Sequence, residues 1–214
     1  MSRQEQFTER KQSPVQATVE FKNGAFSVYD KEQGNIPVNE LGFVLLGEKS
    51  CINGYYAAQN TSAWSNEISD TTKEPLTVMY KKDGKVSTII KGLYKDIKGD
   101  LEGLGLKFHK AVYALVYSSD EIADGTLVKI LLKGAALYSW SQFRDDGGAK
   151  QGIKFAGTED KQNGAIKYKV PLFESEGLEE AVAQEGELAY EQVKAYLMDA
   201  PVQKSEPEGD DPLA

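Results

Sequence analysis

Apolar and polar positions alternate from the start of the ordered pattern: Val15, Ala17, Val19 and Phe21 step by two up to Asn23-Gly24, and AFSVYD follows. A period of two sends alternate side chains to one face, and Asn-Gly between such runs is a strong hairpin signal, so a β-hairpin is expected here. The polar stretch DKEQGNIPVNE reads as a loop, and LGFVLLGEKSCINGYY as a buried strand that ends in a turn at Asn53-Gly54. The following residues, from Tyr55 to Pro75, are small, polar and aperiodic. They are expected to form a long irregular loop, of the kind that is functional when it interrupts a compact domain. That loop carries Tyr55, Tyr56 and Trp64. Trp64 either anchors it to the core or faces a ligand.

Residues 76–118 read as strand, tight turn, strand, short helix and long strand. Thr77, Met79, Val86, Thr88 and Ile90 alternate on either side of Asp83-Gly84, a second hairpin signal. Leu93, Ile97, Leu101 and Leu104 then change the step to one that suits a helical face, closed by Gly103 and Gly105. Strands follow over 107–118 and in TLVKILLKG, and a helix is expected in KGAALYSWSQFRDDGG, whose aromatics read as core. GIKFAGT and AIKYKVPLF are read as two strands around the turn EDKQNG, with lysines on an outward face. Residues 175–199 give the one long helical pattern, with Leu178, Val182, Ala189, Val193 and Leu197 on a four-residue step that Gly186 interrupts. The fold class expected is mainly β with a few helices (α+β). Its divisions are a flexible arm (1–14), a β-rich body (15–174), a C-terminal helix (175–199) and an acidic disordered tail (200–214).

Charge changes the picture because it is unevenly spread. Of 25 basic and 33 acidic residues, residues 174–214 hold two and twelve, which leaves 23 bases against 21 acids in the rest of the chain. The body is mildly basic and the C-terminal part strongly acidic. Positive charge gathers in 76–118, with eight lysines against Asp83, Asp96, Asp100 and Glu102. No apolar run approaches the length of about 18 residues that a membrane helix needs, and MSRQEQFTERKQSPVQ lacks the apolar stretch of a signal peptide. A soluble protein of the cytoplasm is expected, with no membrane partner.

Catalysis has few parts to work with. His109 and Cys51 are the one histidine and the one cysteine, so neither a His/Cys metal site nor a charge-relay triad can be assembled, and no phosphate-binding or nucleophile-elbow motif occurs. Neither enzyme activity nor a metal or cofactor is expected. Binding has more. Lysines interleaved with aromatics on strands and loops suit single-stranded nucleic acid, the ammonium groups tracking phosphates while rings stack on bases. The candidates in and before the central stretch are Tyr55, Tyr56, Trp64, Tyr80, Lys81, Lys82, Lys85, Lys91, Tyr94, Lys95, Lys98, Lys107, Lys110, Tyr113 and Tyr117. Lys154, Lys167 and Lys169 add a basic face on the last two strands. The order of elements is compatible with an OB barrel, which holds oligonucleotides on a sheet face and flanking loops.

VEFKNGAFSVYD, WSNEISDTTKEPLTV, KGAALYSWSQF and GAIKYKVPLFE resemble the single-stranded DNA-binding proteins of tailed bacteriophages. The resemblance spans residues 15–174 and implies an OB-fold that coats single-stranded DNA in phage replication or recombination, in the host cytoplasm. The acidic end is similar in design to the partner-recruiting tails of bacterial single-stranded DNA-binding proteins. It implies docking of replication or recombination proteins at Asp210, Asp211, Pro212 and Leu213, although Leu213-Ala214 stands where those tails carry a terminal aromatic. The alternative class is a β-rich virion structural or assembly protein that does not bind nucleic acid.

Overall fold

The computed structural model describes residues 14–150 and 152–198. It is mainly β, with 53% of the described residues in strands and 24% in helices. In chain order the strands are β1 (Ala17–Lys22), β2 (Ala25–Asp30), β3 (Gly34–Val38), β4 (Leu41–Tyr56), β5 (Thr61–Ser65), β6 (Leu76–Lys82) and β7 (Lys85–Gly92). Helix α1 (Tyr94–Gly103), β8 (Lys107–Ser119), β9 (Leu127–Leu132) and α2 (Gly134–Asp145) follow, then β10 (Gly152–Asn163), β11 (Ile166–Glu176) and α3 (Glu180–Met198).

One mixed sheet holds all eleven strands in the order β3-β2-β1-β9-β8-β4-β5-β6-β7, with β10 also on β4 and β11 on β10. The sheet forks at β4, which is 16 residues long. Its first half pairs with β10 (Phe43 opposite Ile153) and its end with β5 (Asn53 opposite Trp64), while β8 runs beside both halves. Only β1 and β9 pair in parallel among the described strands.

Strand alternation decides which side of the sheet is covered by what. On β8, Val112, Ala114 and Val116 face a core shared with Phe43, Ile130, Trp140 and Ile153, closed by α2 and the curling β10–β11 hairpin. The opposite face of the same strand, Ala111, Tyr113 and Leu115, lies under Ala189 and Val193 of α3. A third cluster packs Ile97 and Leu101 of α1 on Ile52, Ala63 and Val78. Helix α1 therefore covers the side of its part of the sheet on which Ile52, Ala63 and Val78 lie, and leaves Asn53, Trp64 and Met79, their strand neighbours, on the other side.

The barrel expected from the sequence is not closed. β11 pairs with β10 alone, and no backbone ladder joins it to β1 or β2. Side chains bridge that seam instead: Phe26 meets Phe155 edge-on at 5.0 Å between ring centroids and Phe173 at 6.3 Å. The stem of Lys169 lies over Gly24, where an added Cβ would come within 2.6 Å of its Cδ.

Several elements differ from the sequence reading. Gly34–Val38 is a strand, paired with β2, where a loop was expected. Asn53-Gly54 is no turn: β4 continues through it, and Leu106 crosses Gly54 so closely that a Cβ there would stand 3.0 Å from its Cδ2. The irregular loop expected from Tyr55 to Pro75 holds only over residues 66–75; before it stand the end of β4, a 3-10 turn at Ala57–Gln59 and β5. The last two strands run on into a long hairpin, tightening only at Gly164-Ala165, and Gly186 passes Val44 without breaking α3. The hairpins at Asn23-Gly24 and Asp83-Gly84 form as expected, both asparagine and aspartate taking the positive φ of such turns.

Candidate nucleic-acid interface

Beyond the last turns of α3, the outer face of the sheet is uncovered. Two-residue steps along β8 lead from Ala111 under the helix through His109, which is buried in the floor, to the exposed Lys107. The neighbouring strands continue the same face, with Asn53 opposite Lys107 and Trp64 opposite Asn53. On the other side, β1 and β9 pair at Glu20 and Leu131, so two residues further on Lys22 and Lys133 stand side by side.

These residues line a groove of about 520 Å³ that includes Lys22, Tyr55, Trp64, Lys107, His109 and Lys133. Lys22 and Lys133 also line a second groove, of about 720 Å³, whose far wall is Lys167, Tyr168 and Lys169 of the β10–β11 hairpin. The two form one track. From β5 to β1 it crosses four inter-strand spacings, roughly 19 Å at about 4.8 Å each.

Glu20 sits between the lysines, at 2.6 Å from Lys22 and 3.1 Å from Lys133. Burial works to raise its pKa, but the two ammonium groups outweigh burial and hold it below the usual carboxylate value. His109 places Nδ1 2.9 Å from the Lys107 carbonyl oxygen, which can only accept, so Nδ1 carries the proton and Nε2 is left as an acceptor. Burial lowers its pKa, the Lys107 carbonyl opposes this, and the nearby Lys133 lowers it further. Trp64 is half-buried and belongs to none of the three apolar clusters. It is not a core anchor. The other tryptophan, Trp140, is 1% exposed and donates its indole N–H to Glu48 at 2.8 Å.

The sequence candidates divide sharply. Tyr55, Trp64, Lys107, Lys167 and Lys169 lie on the track. Lys81 and Lys91 share its face on the adjoining β6–β7 hairpin, since Trp64 stands opposite Met79 and Thr77 opposite Lys91. Lys82 and Lys85 flank that hairpin's turn, with Lys82 3.0 Å from Gln59. The remainder face elsewhere. Tyr113 is withdrawn because it is buried under α3 and donates its hydroxyl to Glu67, burial and that carboxylate both raising its pKa. Tyr56 and Tyr80 pack together at 5.4 Å on the α1 side, as do Tyr94 and Phe108 at 4.6 Å. Their rings fill the α1 cluster and are out of reach of the track.

Lys95 is on α1, and Lys98 pairs with Glu102 along that helix at 3.8 Å. Lys110 alternates to the opposite face from Lys107 and reaches Ser50 at 3.1 Å. Lys154 is at the hairpin base, 3.8 Å from Glu176, to which Tyr117 also donates. Asp210, Asp211, Pro212 and Leu213 lie outside the described residues. Lys22, Lys133, His109 and Tyr168 were missed. Only the parallel β1–β9 pairing brings Lys22 to Lys133, and a parallel neighbour more than a hundred residues away leaves no local signature. Tyr168 did show a signal, since it stands between two lysines in one strand.

No family model, curated protein or solved structure matches this chain. The functional reading therefore rests on the geometry of the track and on the sequence.

Proposed function

We propose that this protein binds single-stranded DNA without sequence preference, along the track from Trp64 to Lys169. The observation that carries this is the sharing of Lys22 and Lys133 by the two grooves, which joins the half-buried Trp64 indole to a lysine-rich hairpin without a break. Lysines at the spacing of strands can follow a backbone, and the rings of Trp64, Tyr55 and Tyr168 can stack on any base. The groove linings hold single amides, Asn53 in one and Asn23 in the other, and no arginine, which is too little to read a run of base edges.

The path of the chain supports an OB-like reading. β4, β8 and β9 lie side by side, and after α2 the chain returns as β10 beside β4, the strand order of a Greek key. In that reading β8 and β9 are the second and third strands, the β5–β7 excursion is the first connection, and the β10–β11 turn is the last. OB folds hold oligonucleotides on that sheet face and those two connections. Here the same three parts line the track. We further propose, on the sequence resemblance of the body to tailed-phage proteins alone, that this binding serves phage DNA replication or recombination in the host cytoplasm. We assign the acidic end, at Asp210–Leu213, to recruiting proteins of that process.

The test is a titration of fluorescent oligo-dT against wild type and Trp64→Ala, with duplex DNA of equal length alongside. Wild type should prefer the single strand, and Trp64→Ala should weaken it roughly 5- to 150-fold, the value of one stacked base, with little change in Tm. Equal affinity for duplex refutes stacking. No binding at low salt refutes the whole reading and leaves the virion-assembly class.

A further inference from the structure

A third depression adjoins the track, and the sequence reading did not foresee it. It is a cleft of about 540 Å³ between the start of α2 and the β10–β11 hairpin, walled by Tyr138, Tyr168, Val170 and Leu172. Tyr168 and Ala135 line both this cleft and the lysine groove, so the two meet at the Tyr168 ring. The cleft is held open by its own supports. Ser139 donates to the Pro171 carbonyl at 2.6 Å, and Trp140 and Phe143 pack on Phe173 at 5.1 and 5.8 Å. Tyr138 projects from the opposite side of α2 and is 71% exposed, with no ring contact or side-chain hydrogen bond among the described residues. On the cleft's rim Glu159 is taken up by Lys161 at 2.7 Å.

We propose that this cleft is a second stacking station, which takes bases of a DNA strand leaving the lysine groove past Tyr168. The proposal rests on the single-stranded DNA reading and extends it from one aromatic end to two. Three features name a nucleic-acid strand as the occupant: continuity with the basic groove, two tyrosine faces at the mouth, and Lys161 in the cleft wall, whose pairing with Glu159 a phosphate would share. A volume within the usual range of about 300–1,000 Å³ for small-ligand pockets suits bases entering a preformed site.

The test is the length dependence of oligo-dT affinity, from about 4 to about 16 nucleotides, the span of site sizes seen for one OB fold. Wild type, Trp64→Ala, Tyr138→Ala and Tyr138→Phe are compared by fluorescence anisotropy. Trp64→Ala should weaken every length. Tyr138→Ala should leave the shortest oligonucleotides unchanged and remove an increment of roughly 5- to 150-fold from the longer ones, which Tyr138→Phe should retain. Tyr138→Ala curves that match wild type at all lengths, with Trp64→Ala still weakened, would overturn the second station and spare the main reading. Loss of binding at all lengths in wild type would overturn both.

Discussion

At the scale of single residues, Glu20 explains how two lysines can stand side by side in the groove. Its carboxylate bridges both, and DNA phosphates would take over part of that role. His109 is the other titratable group of the track, and it predicts a pH dependence of stability. Its pKa in the fold lies below the ordinary 6.5, mainly through burial, so near that pH the unfolded chain binds more protons than the folded one. Stability must then rise with pH, being complete above about 6.5 and lost as pH falls toward the folded value. Glu20, whose pKa is lowered from 4.5, adds the same sign of dependence only at lower pH. Lowering pH from 7.5 to 5.5 should reduce Tm, and His109→Gln should flatten Tm across that window. A wild-type Tm that stays level would contradict the buried neutral imidazole.

At the scale of elements, the β10–β11 hairpin decides whether the track has a second wall. Lys167 and Lys169 are exposed on it, and the stem of Lys169 rests on Gly24. Lys167→Ala with Lys169→Met removes both charges while keeping an apolar stem on that glycine. The salt slope of oligo-dT binding should then fall by roughly 1.4, about 0.7 for each lost phosphate contact, while stability changes by less than about 0.5 kcal/mol. An unchanged slope would remove the hairpin from the interface. Element boundaries also show what sequence could and could not convey. Asn23-Gly24 and Asn53-Gly54 are the same dipeptide, yet the first turns the chain at positive φ and the second runs straight inside β4. The difference is made by Leu106, whose crossing of Gly54 depends on α1 and β8, more than thirty residues downstream. Alternation likewise named Tyr55 and Tyr56 together, but adjacent residues on one strand point to opposite faces, and only the position of α1 tells which face is buried.

At the scale of the whole molecule, three coverings share one sheet: α2 with the curled hairpin, α1, and α3. What they leave bare is the track. Helix α3 bounds it with an acidic surface, including Glu185, Glu187 and Glu191, so the molecule presents opposite charge on adjoining parts of one face. The division between a basic body and an acidic C-terminal part was legible in composition. The track itself was half legible: strands and lysines could be read, but their gathering at Lys22 and Lys133 depends on the parallel β1–β9 pairing. The most direct test of the account is the salt dependence of oligo-dT affinity for the full chain. Lys22, Lys107, Lys133, Lys167 and Lys169 line the joined grooves, and five phosphate contacts predict a log–log slope of roughly −3.5. A slope near that value, made shallower by roughly 1.4 in a Lys22→Ala/Lys133→Ala variant, is the result expected. A slope shallower than about −1, or one that this variant leaves unchanged, would contradict binding along the track.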